Sequence, residues 1–494
     1  MNEERTLVLY DAVTAVREEY IEEAARPLRR PALRRLSLAA ACLCFLVGGW
    51  FLLQSLGVYI ALPFPIGGSG TGGRGGQNLA AYHFYAGPVL PLTAEEEGLT
   101  ADRRVDFDFS LFDPDRGDAG EYADPLRRQS CLVTDSYRLT AGEAGTRTLY
   151  YPFISTLTDS ADLLPGITVN GEAAETELLI GPGSPSFFSW ADAEAQVGTD
   201  PLDRALAPLP RPEEKVTVYA LSDLHGERGE SAGYPTVAFE YTLDMSSSAV
   251  VTYGFNGGSN DLQNSAGTRI VAVEAGRRHT AYLLVLGEDL ETWSIRGYAD
   301  GRCETPMESA GATVTRYEST FGEMLTLFWG SYRRPFLEDK LAGRVSTETL
   351  VGLTFQLLLE RSADLRSAVR TLVWDLEGAF DQVLGQTRVT YLRFTAHIPA
   401  GEPGEVEVRL VKLPSFDHGG RDRYRQGFDL AGKLGSRIRC TGLTASITGG
   451  EYIRILRQDF GFETEKGALK TTEVALDPAG KHWFMDVCAA PKGK

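Results

Sequence analysis

Leu9, Val13, Val16, Tyr20 and Ala24 recur at steps of four, three, four and four residues. At about 100° per residue they fall within an arc of roughly 80° on a helix, opposite Asp11, Glu18 and Glu22. Asn2 or Thr6 is placed to cap the start, and Pro27 marks the stop. A different pattern follows at residues 36–56, "LSLAAACLCFLVGGWFLLQSL", where the polar residues are Ser37, Gln54 and Ser55 and no charge occurs. About 20 helical residues at ~1.5 Å each cover a hydrocarbon core of ~30 Å, so this run predicts a transmembrane helix. The Gly/Pro stretch at 63–78 reads as flexible linker.

Beyond the linker the pattern turns to short runs rich in Val, Tyr, Phe and Thr, separated by turn residues. Strands are predicted at 131–139, 148–155, 215–221, 236–243, 249–255, 269–275 and 280–287. "NGG" at 256–258 and "ADG" at 299–301 read as turns. Thr320 and Glu323 form a capping-box signature ahead of "MLTLFWGSYRR". Val369, Leu372, Val373, Leu376, Phe380 and Val383 follow helical spacing, with Gly385 suited to the C-cap. Residues 388–413 read as one long hairpin around a Pro/Gly loop, and strand-like runs continue toward the carboxyl end. Many short strands without alternating helices favour antiparallel sandwiches.

The fold class expected is thus a bitopic membrane protein: one transmembrane helix and a mainly β, sandwich-like ectodomain with a helical insertion. In order, the segments are a cytoplasmic amphipathic helix (1–26), a basic stop (27–35), the span (36–60), the linker (61–80), a β-rich domain (81–310), a helical segment (311–386) and a C-terminal β domain (387–494).

Charge fixes the orientation. Arg26, Arg29, Arg30, Arg34 and Arg35 crowd the amino-terminal side of the span, whereas the first base on the other side is Arg74. The positive-inside rule places the N-terminus in the cytoplasm and the C-terminal domain outside the plasma membrane. Residues 1–35 hold seven acids and seven bases, so the net charge of −18 resides beyond the span. So acidic a body excludes nucleic acid as a ligand, which needs a basic footprint, and argues against anionic wall polymers.

The head is too short to form a core, and its glutamates would be repelled by an anionic leaflet, so its stripe points to a groove on a protein partner. The helix ending in "YIEEAA", the arginine-rich stop and the Ala/Cys/Leu-rich span resemble Gram-positive single-pass regulators of extracytoplasmic-function sigma factors, which are anti-sigma-like. That resemblance covers roughly the first 60 residues. It implies that Leu9, Val13, Val16 and Tyr20 face a sigma factor. The head has neither His nor Cys, which sets it apart from zinc-containing anti-sigma domains.

Candidate chemistry is sparse. Cys131, Cys303, Cys440 and Cys488 match no zinc spacing, and Cys440 with Cys488 is a candidate disulfide on the carboxyl-terminal strands. The six histidines are scattered, without H-E-x-x-H, and no G-x-S-x-G occurs. Gly68, Gly70 and Gly73 match G-x-G-x-x-G, but without a βαβ context. "DPDRGD" at 113–118 reads as an acidic turn, and "SDLHGE" and "FDHGGRD", which pair histidine with aspartate, read as solvated turns. No catalytic residue, cofactor or metal is expected. The expected function is that of a membrane-anchored regulator or sensor with an unknown extracellular ligand; the alternative is a surface-anchored binding protein without a signalling role.

Overall fold

The computed structural model describes residues 84–491 apart from 114–128, 161–162, 184–187, 198–207, 228–233, 245, 261–265, 275–278, 302, 333–342, 361, 363, 373–374 and 417–424. All of these belong to the second of two compact units, Gly75–Lys494. The head stripe (Leu9, Val13, Val16, Tyr20), the apolar run at 36–56 and the linker at 61–80 lie outside the described residues. Among the described residues no helix is long and apolar enough to cross a membrane.

The described chain is mainly β. Its strands are β1 (Pro88–Val89), β2 (Thr93–Ala94), β3 (Thr100–Asp108), β4 (Cys131–Thr140), β5 (Gly145–Ser155), β6 (Gly166–Val169), β7 (Glu172–Ala173) and β8 (Glu177–Gly183). Then come β9 (Lys215–His225), β10 (Thr236–Asp244), β11 (Ser248–Tyr253), β12 (Gly257–Asn260), β13 (Ala266–Glu274), β14 (Ala281–Gly287), β15 (Thr292–Tyr298) and β16 (Gly311–Thr320). The last group is β17 (Arg388–Ile398), β18 (Gly404–Lys412), β19 (Ser415–Phe416), β20 (Gln426–Ala431), β21 (Arg439–Thr448), β22 (Ile453–Gln458), β23 (Thr464–Glu465), β24 (Ala468–Leu469), β25 (Glu473–Leu476) and β26 (His482–Ala489). The helices are α1 (Leu157–Ser160), α2 (Trp190–Val197), α3 (Phe321–Trp329), α4 (Thr347–Leu359), α5 (Leu365–Leu372) and α6 (Leu376–Gly385).

A first sandwich faces the seven-stranded sheet β25-β21-β3-β4-β18-β6-β7 with two sheets side by side. These are β1-β20-β26-β22, with β19 on β20, and β2-β5-β17-β8. Alternation builds its core. In β4, Cys131, Val133, Asp135, Tyr137 and Leu139 are buried, whereas Leu132, Thr134, Ser136 and Arg138 point the other way. Val105, Phe107 and Val133 meet Phe428, Leu430, Met485 and Val487 of one opposing sheet. Ala101, Leu139 and Val408 meet Tyr151, Leu392 and Phe394 of the other.

A second sandwich stacks β12-β13-β10-β15 on β11-β14-β9-β16. Tyr219, Leu221, Leu283 and Val285 pack inward against Val237 and Phe239. The intervening residues Val216, Val218, Leu284 and Leu286 pack against the helices. A sheet covered on both faces reads as a continuous apolar run, which is why "AYLLVLG" shows little alternation. Phe328 stacks on Tyr253 (4.2 Å) and Trp329 on Phe380 (4.2 Å), fastening α3 and α6 to it.

The pairing departs from the expected segment order. β8 pairs directly with β17, so residues between them form an excursion from the first sandwich. β3 pairs in parallel with β21, and β4 pairs antiparallel with β18. β16 opens the stretch read as helical but is a strand beside β9, and 387–494 supplies strands to all three sheets of the first sandwich. The hairpin expected at 388–413 does not form: β17 lies between β5 and β8, and β18 lies between β4 and β6 in the opposite layer. Each strand finds neighbours on both sides from distant sequence, and the loop between them crosses the layers.

The expected helix through Val369 and Val383 is broken in two, because Asp375 accepts the Gly378 N–H (2.6 Å) and starts α6 afresh. Gly385 is the last helical residue and Gln386 the cap. Gly257 and Gly258 pair within β12. Arg388 is buried where the excursion returns, and its guanidinium donates to Val383 O at the end of α6 (2.7 Å) and to Gly181 O of β8 (3.4 Å). Burial lowers its pKa to about 10.

The capping box is formed: Thr320 Oγ1 accepts the Glu323 N–H (3.2 Å) and the Glu323 carboxylate accepts the Thr320 N–H (3.1 Å). Thr320→Ala is expected to lower the unfolding free energy by about 1 kcal/mol in a urea titration. An unchanged midpoint would remove the cap from the account of α3.

Candidate functional site

Polar groups collect at three places in the first sandwich. The first is sealed inside it. Arg103 of β3 donates from Nε to Asp135 Oδ1 (2.9 Å) and from Nη2 to Oδ2 (2.8 Å). Its remaining N–H groups reach Ala431 O (2.6 Å) in β20 and Leu90 O (3.2 Å). Tyr137 and Tyr151 donate their phenols to Asp135 Oδ2 (2.8 and 3.3 Å), and Leu92 N donates back to Tyr137 Oη (2.9 Å). Burial alone would pull the guanidinium's pKa down; Asp135 and then the phenols outweigh it and hold it above the usual value. The group is closed to solvent and satisfied on every side, so it ties the layers together and offers nothing to a substrate.

The second place lies on the outer side of β20, under α2. Asp429 Oδ2 accepts from Tyr85 Oη (2.7 Å) and sits 3.1 Å from His482 Nε2, while Asp429 Oδ1 is buried and makes no hydrogen bond. Trp190 of α2 covers the imidazole, with ring centroids 4.2 Å apart. A buried carboxylate orienting a histidine is the supporting half of a catalytic triad. The other half is missing, since among the described residues no hydroxyl or thiol is hydrogen-bonded to His482. Lys412 is buried nearby and donates to Ala86 O (2.7 Å). Burial lowers its pKa to about 8, against the pull of Asp429 and Cys131. The cavity at Ala86 and Lys412 holds about 40 Å³, far below the ~300 Å³ at which ligand pockets begin.

The third place is open. The outer face of the seven-stranded sheet forms a trough of about 1110 Å³. The register lines up Asp102, Arg138 and Glu405 across β3, β4 and β18 in one row. The next row carries Thr444, Arg104, Ser136, Glu407 and Thr168. Arg104 pairs with Glu473 (2.8 Å), Arg409 with Glu407 (2.8 Å), and Thr441 Oγ1 donates to Asp102 Oδ1 (2.7 Å). Arg344 lines the trough from beyond α3. These hydroxyls, guanidinium groups and carboxylates can bind a polar partner along the strands. Among the described residues no nucleophile is paired with a base there.

The residues singled out in the sequence lie elsewhere. Leu9, Val13, Val16 and Tyr20 are outside the described residues. Cys440 and Cys488, the candidate disulfide, are both free thiols. They stand on β21 and β26, in different sheets, and Cys440 Sγ donates to Gly442 O (3.1 Å). His225 of "SDLHGE" is exposed and meets the backbone O of Asp223 through Nδ1 (2.8 Å). Both stand in β9, where Asp223 takes a positive φ and the pairing with β16 shifts register, so the stretch expected as a turn is the irregular end of a strand. Most of "DPDRGD" and "FDHGGRD" lies outside the described residues. Among the described residues no group of three or more His, Cys, Asp or Glu side chains could hold a metal ion.

Sequence reasoning missed Arg103 and the trough. Arg103 was legible in principle: Ala101, Arg103, Val105 and Phe107 alternate, which puts a guanidinium on the buried face of β3. The trough had no such signal, because its rows come from strands far apart in sequence.

No protein-family model matches the chain, and none of the curated proteins compared with it is similar.

Proposed function

We propose that the chain is a single-pass membrane protein of the plasma membrane, with a cytoplasmic docking helix and a β-rich extracellular part that binds a ligand or partner. One observation carries this reading: five arginines stand within ten residues ahead of a lipid-length apolar run, and the next base behind it is Arg74. The head's narrow apolar stripe supports docking to a protein partner, and the resemblance of the first 60 residues to anti-sigma-like regulators implies that this partner is a sigma factor. The trough supports a binding role for the extracellular part, since its polar rows are exposed or half-buried and, among the described residues, carry no reactive pair.

Co-expression of the full chain with an extracytoplasmic-function sigma factor of the same cell, followed by purification from membranes, tests the docking helix. The sigma factor is expected to co-purify, and Val16→Asp with Tyr20→Asp is expected to reduce its recovery at least tenfold, about 1.4 kcal/mol. Recovery unaffected by both changes would remove the stripe. Loss of the head without loss of surface binding would favour the anchored binding protein without a signalling role.

A further inference from the structure

Trp293 on β15, an edge strand of the second sandwich, is 43% exposed, whereas Phe239 and Tyr219 beside it are buried. Its indole lies flat on Phe239, with centroids 5.5 Å apart and planes 8° apart, and Tyr219 meets it edge-on at 5.6 Å. The offset stack and the edge contact fix the orientation of the indole while the residue stays exposed. Next to it, Asp289 Oδ1 accepts from Tyr219 Oη (2.8 Å) and Leu290 N (2.8 Å). Its Oδ2 accepts from Arg316 Nε (2.9 Å) and Nη2 (2.6 Å). Burial would raise the Asp289 carboxyl, but hydrogen bonds from Arg316 and Tyr219 outweigh it and hold it below the usual carboxylate range. The side chains of Asp289 and Arg316 are 35% and 46% exposed, so the fixed ion pair and the fixed indole face solvent together.

We propose that this corner binds a neutral oligosaccharide, with the C–H face of one pyranose ring on Trp293 and neighbouring hydroxyls shared between Asp289 and Arg316. A vicinal diol suits the pair, because one hydroxyl donates to the carboxylate while its neighbour accepts from the guanidinium. The pair sums to zero charge, so it offers no net attraction to an anion or to a cation. The ring supplies apolar area with a fixed orientation, and the phenol and backbone already hold the carboxylate, so little rotamer freedom is lost on binding. The site is distinct from the trough and does not depend on the membrane anchor.

The test uses the full chain in lipid nanodiscs, applied to an array of neutral oligosaccharides of glucose, mannose, galactose, xylose and N-acetylglucosamine. Uronate oligosaccharides and oligolysine serve as charged controls. Retention on at least one neutral series is expected. Trp293→Ala and Asp289→Asn should each lower it at least tenfold, while Thr464→Ala on the exposed strand β23 leaves it unchanged. No retention on any neutral series would overturn the proposal, as would stronger retention on either charged control. So would retention that persists in Asp289→Asn, which leaves the aromatic stack in place and decides the matter even where Trp293→Ala unfolds. Failure here leaves the docking-helix reading standing, because that reading is tested on the other end of the chain.

Discussion

Asp135→Ala is expected to lower the unfolding free energy by about 3–5 kcal/mol, the cost of leaving one partner of a buried ion pair behind. The side chains of Arg103 and Asp135 are 1% and 0% exposed, so water cannot replace the lost carboxylate. The substitution strands a guanidinium that made two hydrogen bonds to Asp135 and removes the acceptor for the phenols of Tyr137 and Tyr151. A urea titration followed by circular dichroism reads the loss directly. The double substitution Arg103→Met with Asp135→Leu is expected to recover part of it, because no charge is then buried. Recovery stays partial, since Ala431 O and Leu90 O lose their donor. A loss below about 1 kcal/mol in Asp135→Ala would mean that the pair contributes no more than an exposed one.

Lys412 should make stability depend on pH with a definite sign. Its folded pKa of about 8 lies below the ordinary 10.5. Below pH 8 the ammonium is protonated in both states, and burial penalises the folded one by about 3 kcal/mol. Between pH 8 and 10.5 the folded protein releases this proton first, so the unfolded chain binds more protons and stability rises with pH. Above 10.5 the penalty is gone. Buried Tyr137, Tyr151 and Cys131 act oppositely: burial first of all raises their pKa values, so the unfolded chain ionises first and stability falls as pH passes 9 to 10. Comparison with Lys412→Met isolates the lysine. The variant's stability relative to wild type is expected to drop by about 3 kcal/mol between pH 7 and 10.5, whatever the fixed cost of leaving Ala86 O without its donor. A difference that stays flat over this range would show that Lys412 is not desolvated in solution.

Taken by itself, the sequence determined which residues face inward along individual strands. The runs at 131–139, 215–221 and 236–243 appear as β4, β9 and β10, and the Thr320–Glu323 box starts α3. These are local properties: alternation follows from the pleat, and a cap needs neighbours three residues apart. Only the tertiary structure decided which strands are partners. β3 lies beside β21, and β17 and β18 part into opposite layers, because sheet edges are completed by whatever distant segment matches in register and burial. The functional surfaces follow the same division. Alternation alone put Asp135 and Arg103 on buried faces, but their meeting depends on the β3–β4 register. The trough needs strands from both ends of the excursion, and the Trp293 corner needs β9, β15, β16 and the turn after β14. A strand's own residues fix its faces, whereas a site on a sheet is made by its neighbours.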